Sequence, residues 1–203
     1  THVVDAVRAL NRLELVGEPT LVLPDVPATA NGGLPLALAR DGSLVYMPGL
    51  NAQTAQTTHG SLVSVDRRGR ATPLPFEPGQ YREPRFSPDG KQLAISTYSD
   101  IWVYNLVRGT RVRLTSEGTI NTRPVWTPDG MRVTFRSTRG RDSDLFWTLA
   151  DGSGKTEPLL VRPGVQYPDS WSPDGQVLAF DENDTNAGRD IWLMAKNGKP
   201  EPF

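Results

Sequence analysis

The sequence contains no cysteine and only two histidines, His2 and His59. The first absence excludes disulfides and thiolate metal sites, and neither histidine has a companion at metal-ligand spacing. No apolar run approaches the roughly 18 residues that a helix needs to cross a bilayer. The 22 basic and 23 acidic residues give a formal net charge of -1, so the overall charge favours neither nucleic acid nor an anionic membrane as a partner.

Turn-forming residues are abundant. The chain has 19 glycines and 18 prolines among 203 residues, and 37% of its residues are hydrophobic. So many breakers exclude long amphipathic helices and favour short strands that are joined by turns. The composition therefore predicts an all-β protein.

A pentapeptide recurs every 40 to 48 residues. It reads FSPDG up to Gly90, WTPDG up to Gly130 and WSPDG up to Gly175, and a degenerate copy, LARDG, ends at Gly42. A strand-like segment precedes each complete copy, and two alternating apolar runs and a short closing run follow it. Four antiparallel strands in a repeated unit of this length predict the blades of a β-propeller. The predicted blades span residues 33–76, 80–115, 121–160 and 166–203, and residues 1–23 form the outer half of another blade.

The pentapeptide has a structural explanation. Proline and aspartate suit the central positions of a type I turn, and glycine closes the hairpin in the left-handed conformation. The preceding aromatic residue (Phe86, Trp126 or Trp171) is expected in the seam between blades, where Trp102, Phe146 and Trp192 fill the same layer. We therefore assign a structural and not a catalytic role to the six turn residues Asp89, Gly90, Asp129, Gly130, Asp174 and Gly175.

The [FW]-[ST]-P-D-G turn and the D-I-[WY] strand resemble the TolB-like, WD40-like (PD40) β-propeller repeat over about residues 33–203. The segment RALNRLELVGEPTLVL (Arg8–Leu23) is most similar to propeller regions attached to bacterial serine/threonine kinases. Other proteins with such repeats are periplasmic TolB and the gating propellers of prolyl-oligopeptidase-type peptidases. The resemblance implies a bacterial, periplasmic or extracytoplasmic protein, and it implies little about function.

The predicted half-blade of residues 1–23 is a feature that a complete propeller does not have. Residues 1–23 supply two strands, whereas propellers usually complete one blade from both ends of the chain. We expect either a fragment of a longer propeller or an open arc that completes its ring through another copy of the chain.

A candidate site follows from the expected geometry, because propellers commonly bind where their innermost strands begin. Those positions mix charge with two tyrosines, which suits a protein, peptide or small polar ligand. The predicted binding residues at this channel mouth are Tyr81, Arg82, Glu83, Thr122, Arg123, Tyr167 and Asp169.

Catalytic motifs are missing from the sequence, so no catalytic residue is assigned. The basic segments DRRGR and RSTRGRD are interpreted as solvated turns. The acidic segment Asp181–Asp190 is expected in a loop, and Asp181, Glu182 and Asp184 are candidate ligands for calcium or another cation, although the spacing is not that of a calcium loop.

The favoured function is therefore a non-enzymatic binding or scaffold propeller with a protein or peptide partner. One alternative is a hydrolase or an enzyme accessory domain that uses the loop carboxylates with a bound cation. Another is a self-assembly module that pairs through its open ends.

Overall fold

The computed structural model describes residues 3–9, 14–23, 36–39, 42–47, 59–66, 68–139, 142–184 and 188–203; residues 3–9, 14–23 and 184 are described by their backbone alone. Every regular element in these ranges is a β-strand. Within the same ranges, no helix is long and apolar enough to cross a membrane.

The eighteen strands form one hairpin and four antiparallel units of four strands each. The hairpin pairs β1 (Val3–Ala9) with β2 (Glu14–Leu23). Blade I contains β3 (Leu36–Leu38), β4 (Leu44–Tyr46), β5 (Val63–Val65) and β6 (Ala71–Pro73), and blade II contains β7 (Arg82–Phe86), β8 (Gln92–Ser96), β9 (Ile101–Asn105) and β10 (Thr110–Arg113). Blade III contains β11 (Ile120–Trp126), β12 (Arg132–Thr138), β13 (Ser143–Leu149) and β14 (Glu157–Leu160), and blade IV contains β15 (Val165–Trp171), β16 (Val177–Asp184), β17 (Gly188–Ala195) and β18 (Pro200–Pro202).

The blades adjoin through their first strands. β7 packs against β3 on one side and against β11 on the other, and β11 also packs against β15. The fourth strand of each blade pairs with the third strand of the same blade. A single parallel bridge, Ser143 to Val165, joins blades III and IV into one eight-stranded sheet. This arrangement confirms the all-β propeller architecture, and we call the side that bears the first strands the inner edge.

The repeated turn closes the hairpin between the first two strands of blades II, III and IV. Gly90, Gly130 and Gly175 have φ values of +71°, +70° and +70°, which non-glycine residues rarely adopt. In blade III the backbone N–H of Gly130 donates to the carbonyl of Thr127 at 2.8 Å. The Thr127 hydroxyl donates to the Asp129 carboxylate at 2.6 Å. Each residue type in the pentapeptide thus meets a specific demand of the turn.

The aromatic residue ahead of each turn packs between blades. Trp126 lies in one core cluster with Ala94 and Ile101 of blade II and with Val133 of its own blade. Its indole N–H also donates to the backbone carbonyl of Arg85 at 2.9 Å. The ring therefore contributes both apolar burial and a polar link to the seam.

We expect the turn aspartates to make folding stability depend on acid pH. A hydroxyl donor and then a backbone N–H hold the pKa values of Asp89, Asp129 and Asp174 below the ordinary 3.8. A lowered folded-state pKa gives stability that is complete above the unfolded value and is lost as the pH falls through the folded value. The triple variant D89N/D129N/D174N should be less stable at neutral pH and should lose less stability between about pH 5 and about pH 2.

Urea unfolding at several pH values measures this difference. E201Q is the matched control, since Glu201 lies in the exposed strand β18, and it should behave like the native chain. Parallel stability curves for the native chain and the triple variant would contradict the assigned role of the turns.

Two segments that were expected to be turns or loops contain strand. RSTRGRD, interpreted as solvated turns, begins inside β12, which continues to Thr138, and the acidic segment contributes Asp181–Asp184 to β16, which pairs with β17 as far as Asp184 and Gly188. The reason is that β12 and β16 are each paired on both sides, so the backbone hydrogen bonds continue past the apolar run of the sequence.

Candidate ligand-binding site at the inner edge

Arg123 of β11 connects three blades. Its backbone N–H donates to Glu83 Oε2 of blade II at 2.7 Å, and its Nε lies 3.6 Å from Glu83 Oε1. Its Nη1 lies 4.0 Å from Asp169 Oδ1 and 3.8 Å from Asp181 Oδ2, both of blade IV. One guanidinium in blade III is thus shared by carboxylates from both neighbouring blades.

Tyr167 of β15 lies among three guanidinium groups. The Cζ atoms of Arg123, Arg136 and Arg189 lie 4.5, 4.8 and 4.9 Å from the centroid of its ring. Arginine stacks readily on an aromatic ring, and each such contact contributes more when water is excluded. Arg189 is also held by Asp181, at 3.3 Å. The arginines and the ring fix one another in place.

The backbone at this site is irregular. The pairing of the first and second strands shifts between Arg82 and Arg85 in blade II and between Thr122 and Val125 in blade III. Glu83 and Arg123 occupy these bulges with φ values of +52° and +54°. Non-glycine residues in this conformation carry strain that the surrounding structure must offset, and such positions cluster at functional sites.

In blades II, III and IV, the second strand contributes a polar side chain to this site from the same position of the repeat. Ser96 of blade II donates to Glu83 Oε2 at 3.1 Å. Arg136 of blade III stacks on Tyr167 and donates to the Ser143 hydroxyl at 2.8 Å. Asp181 of blade IV binds Arg123 and Arg189. The repeat therefore places three different polar side chains on the same side of three successive blades.

Arg85, two residues after Glu83, lies at the same edge. It is exposed, yet desolvation lowers the pKa of its guanidinium, and the nearby Glu83 carboxylate partly offsets this effect. Its Nη1 donates a hydrogen bond to the Pro84 carbonyl at 3.0 Å.

Two carboxylates of the site hold their protons more tightly than usual. Burial raises the pKa of Asp169, and the neighbouring Asp181 carboxylate raises it further, against the opposing effect of Arg123. Burial also raises the pKa of Asp181, against the effects of Arg189 and Arg123. Desolvation and like charge thus outweigh the arginines, which is typical of a polar cluster in a recess. We call this group the inner-edge site: Glu83, Arg85, Arg123, Arg136, Tyr167, Asp169, Asp181 and Arg189.

The structure brings four of the seven predicted binding residues together, namely Glu83, Arg123, Tyr167 and Asp169. Arg82 and Thr122 are half-buried beside them, in strand pairs with Ser96 and Arg136. A binding role for any of these side chains stays a prediction.

Tyr81 requires a correction, because it does not lie at the channel mouth. It is only 4% exposed and packs in the core cluster between blades I and II. Its hydroxyl donates to the Glu77 carbonyl, and burial raises its pKa. The reason is strand alternation: Asn121 and Gln166, at the same repeat position, are fully buried too, so this position faces the seam.

Sequence reasoning missed Arg85, Arg136 and Arg189 and assigned Asp181 to a different site. Arg136 and Arg139 belong to a segment interpreted as solvated turns, but they stack on Tyr167 and Phe146. Alignment of the repeats gives a usable signal, since Ser96, Arg136 and Asp181 are equivalent positions. No such signal identifies Arg189.

The side chains of Asp181 and Glu182, the proposed cation ligands, have different neighbours. They are consecutive in β16, so their side chains face opposite sides of the sheet. Asp181 binds Arg123 and Arg189, whereas Glu182 binds Arg162 Nε at 3.1 Å. The side chain of Asp184 lies outside the described residues, and among those that are described no three acidic or histidine side chains gather as metal ligands. A cation site there stays a prediction.

A groove of about 480 Å³ opens beside Tyr81. Tyr98, 74% exposed, and Trp102 line it together with Arg111. His59 is exposed at the rim of this groove.

The fold and the site define a β-propeller that carries a cluster of charged side chains where neighbouring blades meet. The chain matches the TolB β-propeller domain family, PD40, over residues 58–200. It therefore belongs to that family, as its turns and D-I-[WY] strands indicate. In the solved structure of TolB from Acinetobacter baumannii, 45% of that chain superposes on 91% of this one, with a TM-score of 0.70 and 19% identity, which shows the shared fold.

Two sequence relatives are peptidases. An uncharacterized peptidase, YuxL of Bacillus subtilis, is 32% identical in an alignment of 107 residues that covers 47% of this chain and 16% of the relative. Dipeptidyl-peptidase 5 of Porphyromonas gingivalis is 31% identical in an alignment of 137 residues that covers 56% of this chain and 19% of the relative. The chain thus spans less than a fifth of each of these relatives.

Proposed function

We propose that this chain is a non-enzymatic binding propeller that holds a peptide or small polar ligand in the inner-edge site. The observation that carries this proposal is the arrangement around Arg123, whose guanidinium interacts with carboxylates of two neighbouring blades and stacks on Tyr167.

The arrangement suits a peptide for physical reasons. A peptide presents amide donors and acceptors along an extended backbone, and the site offers carboxylates, guanidinium groups and a ring that are already in position. Because these groups are held on strands and by one another, little conformational entropy is lost when a ligand binds. The strained positions at Glu83 and Arg123 fit the same interpretation, since strain persists where function requires a fixed geometry.

We expect substitutions in the site to weaken peptide binding. The chain is dialysed against a synthetic pool of random hexapeptides, and the retained peptides are quantified by mass spectrometry. Tyr167→Ala and Arg123→Gln should each lower the affinity of the retained peptides by at least about tenfold, the loss typical of central contact residues.

Arg132→Gln provides the matched control. Arg132 also stacks on an aromatic ring, 4.6 Å from the centroid of Trp147, and pairs with Glu157 at 3.0 Å. It lies beside the repeated turn, at the other end of β12 from Arg136, so binding should stay within about twofold of the native value. Equal losses in all three variants, or binding that survives Tyr167→Ala and Arg123→Gln in folded protein, would remove the site assignment.

A second candidate is an accessory domain of a hydrolase, which the two peptidase relatives favour. The hexapeptide pool distinguishes a binding domain from a chain that uses acidic residues and a cation for hydrolysis. The binding proposal expects the peptides to come back intact, whereas cleavage that a chelator abolishes supports the hydrolase. The relatives named above include no kinase, and attachment of this propeller to a kinase stays a proposal that rests on Arg8–Leu23 alone.

Self-assembly is supported by a single surface observation. Ile191 of blade IV is 53% exposed, whereas its equivalents Ile101 and Leu145 are fully buried beneath the next blade. Native mass spectrometry decides the matter: a discrete dimer or ring supports self-assembly, and a clean monomer removes this proposal.

A further inference from the structure

Positive charge exceeds negative charge in the inner-edge site. Its charged groups are four guanidinium groups and three carboxylates. The guanidinium groups are those of Arg85, Arg123, Arg136 and Arg189, and the carboxylates are those of Glu83, Asp169 and Asp181. Near neutral pH the site therefore carries one unbalanced positive charge, even though the protein as a whole is slightly acidic.

The excess charge can be assigned to particular residues. Arg123 and Arg189 have carboxylate partners within 4 Å. Among the described residues, Arg85 and Arg136 form no ion pair within that distance, and their hydrogen bonds go to the Pro84 carbonyl and the Ser143 hydroxyl. Of these two, Arg85 is the exposed one.

The position of Arg85 fits a ligand contact better than a structural one. The equivalent residues of blades III and IV are Val125 and Ser170, so the repeat does not require a cation at this position. Among the described residues, the hydrogen bond of the Arg85 guanidinium goes to the carbonyl of its neighbour Pro84. The charges of Arg123 and Asp169 also affect the pKa of this guanidinium, after burial and Glu83. An arginine binds a carboxylate strongly, because two parallel N–H donors of its guanidinium match the two carboxylate oxygens.

We propose that the inner-edge site recognises a carboxylate of its ligand and that Arg85 binds it. This inference rests on the proposed peptide-binding function and defines its chemistry. A ligand carboxylate offsets the excess of positive charge. It can belong to the C-terminus of the peptide or to an aspartate or glutamate side chain, and both sources present the same group.

Three N-acetylated hexapeptide pools test the inference with the native chain. The first has free C-termini and no acidic side chains, the second is C-terminally amidated and has no acidic side chains, and the third is amidated and contains aspartate and glutamate. The first or the third pool, or both, should bind at least about tenfold more tightly than the second. The pool that does so identifies the source of the carboxylate.

Arg85→Gln should reduce this preference to less than about threefold without changing the melting temperature, because Arg85 is exposed. Arg85→Lys should retain part of the preference, since it keeps the charge but not the two parallel donors. Arg113→Gln is the control. Arg113 lies on β10, the outermost strand of the same blade, and pairs with Asp100. Its substitution should leave the preference for a carboxylate unchanged.

The outcomes separate this inference from the proposal on which it rests. If no pool is retained, both fail. If all three pools bind equally and still depend on Tyr167, peptide binding stands and carboxylate recognition is overturned. A preference that persists unchanged in Arg85→Gln overturns the role of Arg85.

Discussion

Replacing Leu145 with alanine is expected to lower the free energy of unfolding by about 3 to 4 kcal/mol, whereas Ile191→Ala should cost less than about 1 kcal/mol. The two residues occupy the same position in the D-[IL]-[WF] strand of successive blades. Leu145 is fully buried in the cluster that contains Trp171 of blade IV, so its truncation leaves a cavity. Ile191 is 53% exposed on blade IV, so its truncation removes less burial and leaves no enclosed void.

Urea unfolding of both variants measures the contrast. Ile101→Ala, in blade II, is a further check, because Ile101 is also fully buried and packs with Trp126 of the next blade. It should behave like Leu145→Ala. Similar losses for Leu145→Ala and Ile191→Ala would mean that the packing between blades III and IV does not determine the stability of this region.

Trp171→Ala should destabilise the protein by about 3 to 5 kcal/mol, the range for large buried aromatic residues. The indole ring is 9% exposed and stacks on Trp147, with centroids 6.2 Å apart and ring planes 17° apart. Its N–H donates to the Thr134 hydroxyl of blade III at 3.0 Å. Both the apolar contact and the hydrogen bond cross the seam between blades III and IV.

A double-mutant cycle separates the two contributions. Thr134→Val should cost about 1 to 2 kcal/mol, since it leaves the buried indole N–H without its acceptor. Trp171→Phe should cost part of the loss seen with alanine, because a ring remains in the seam. The losses of unfolding free energy measured for the two single variants should sum to about 1 kcal/mol more than the loss measured for the double variant. Strict additivity would show that the hydrogen bond contributes nothing to the seam.

The architecture could be predicted from local sequence signals. Each repeated turn needs one glycine with positive φ and one aspartate that accepts hydrogen bonds, and strands such as β5 show their buried face through alternation. These requirements recur at fixed spacing, so a repeated string such as WTPDG predicts a repeated structure. Its aromatic residue also predicts the seam in which Trp126 lies.

The site was predicted only in part because its geometry depends on how the blades pack. No local feature of the sequence indicates that the Tyr81 side chain is buried in the core while that of Arg82 is not. None indicates that the bulges give Glu83 and Arg123 positive φ. Arg189 is separated from Tyr167 by more than twenty positions and meets it only because β16 and β17 remain paired to Asp184 and Gly188.

Peptide binding at the inner-edge site is tested most directly by a crystal structure of the chain with the tightest-binding hexapeptide of the pool. The account predicts that a carboxylate of the peptide lies within hydrogen-bond distance of the Arg85 guanidinium and that the peptide contacts Tyr167. A peptide bound in the groove beside Tyr98, or on the exposed face of blade IV around Ile191, would contradict it.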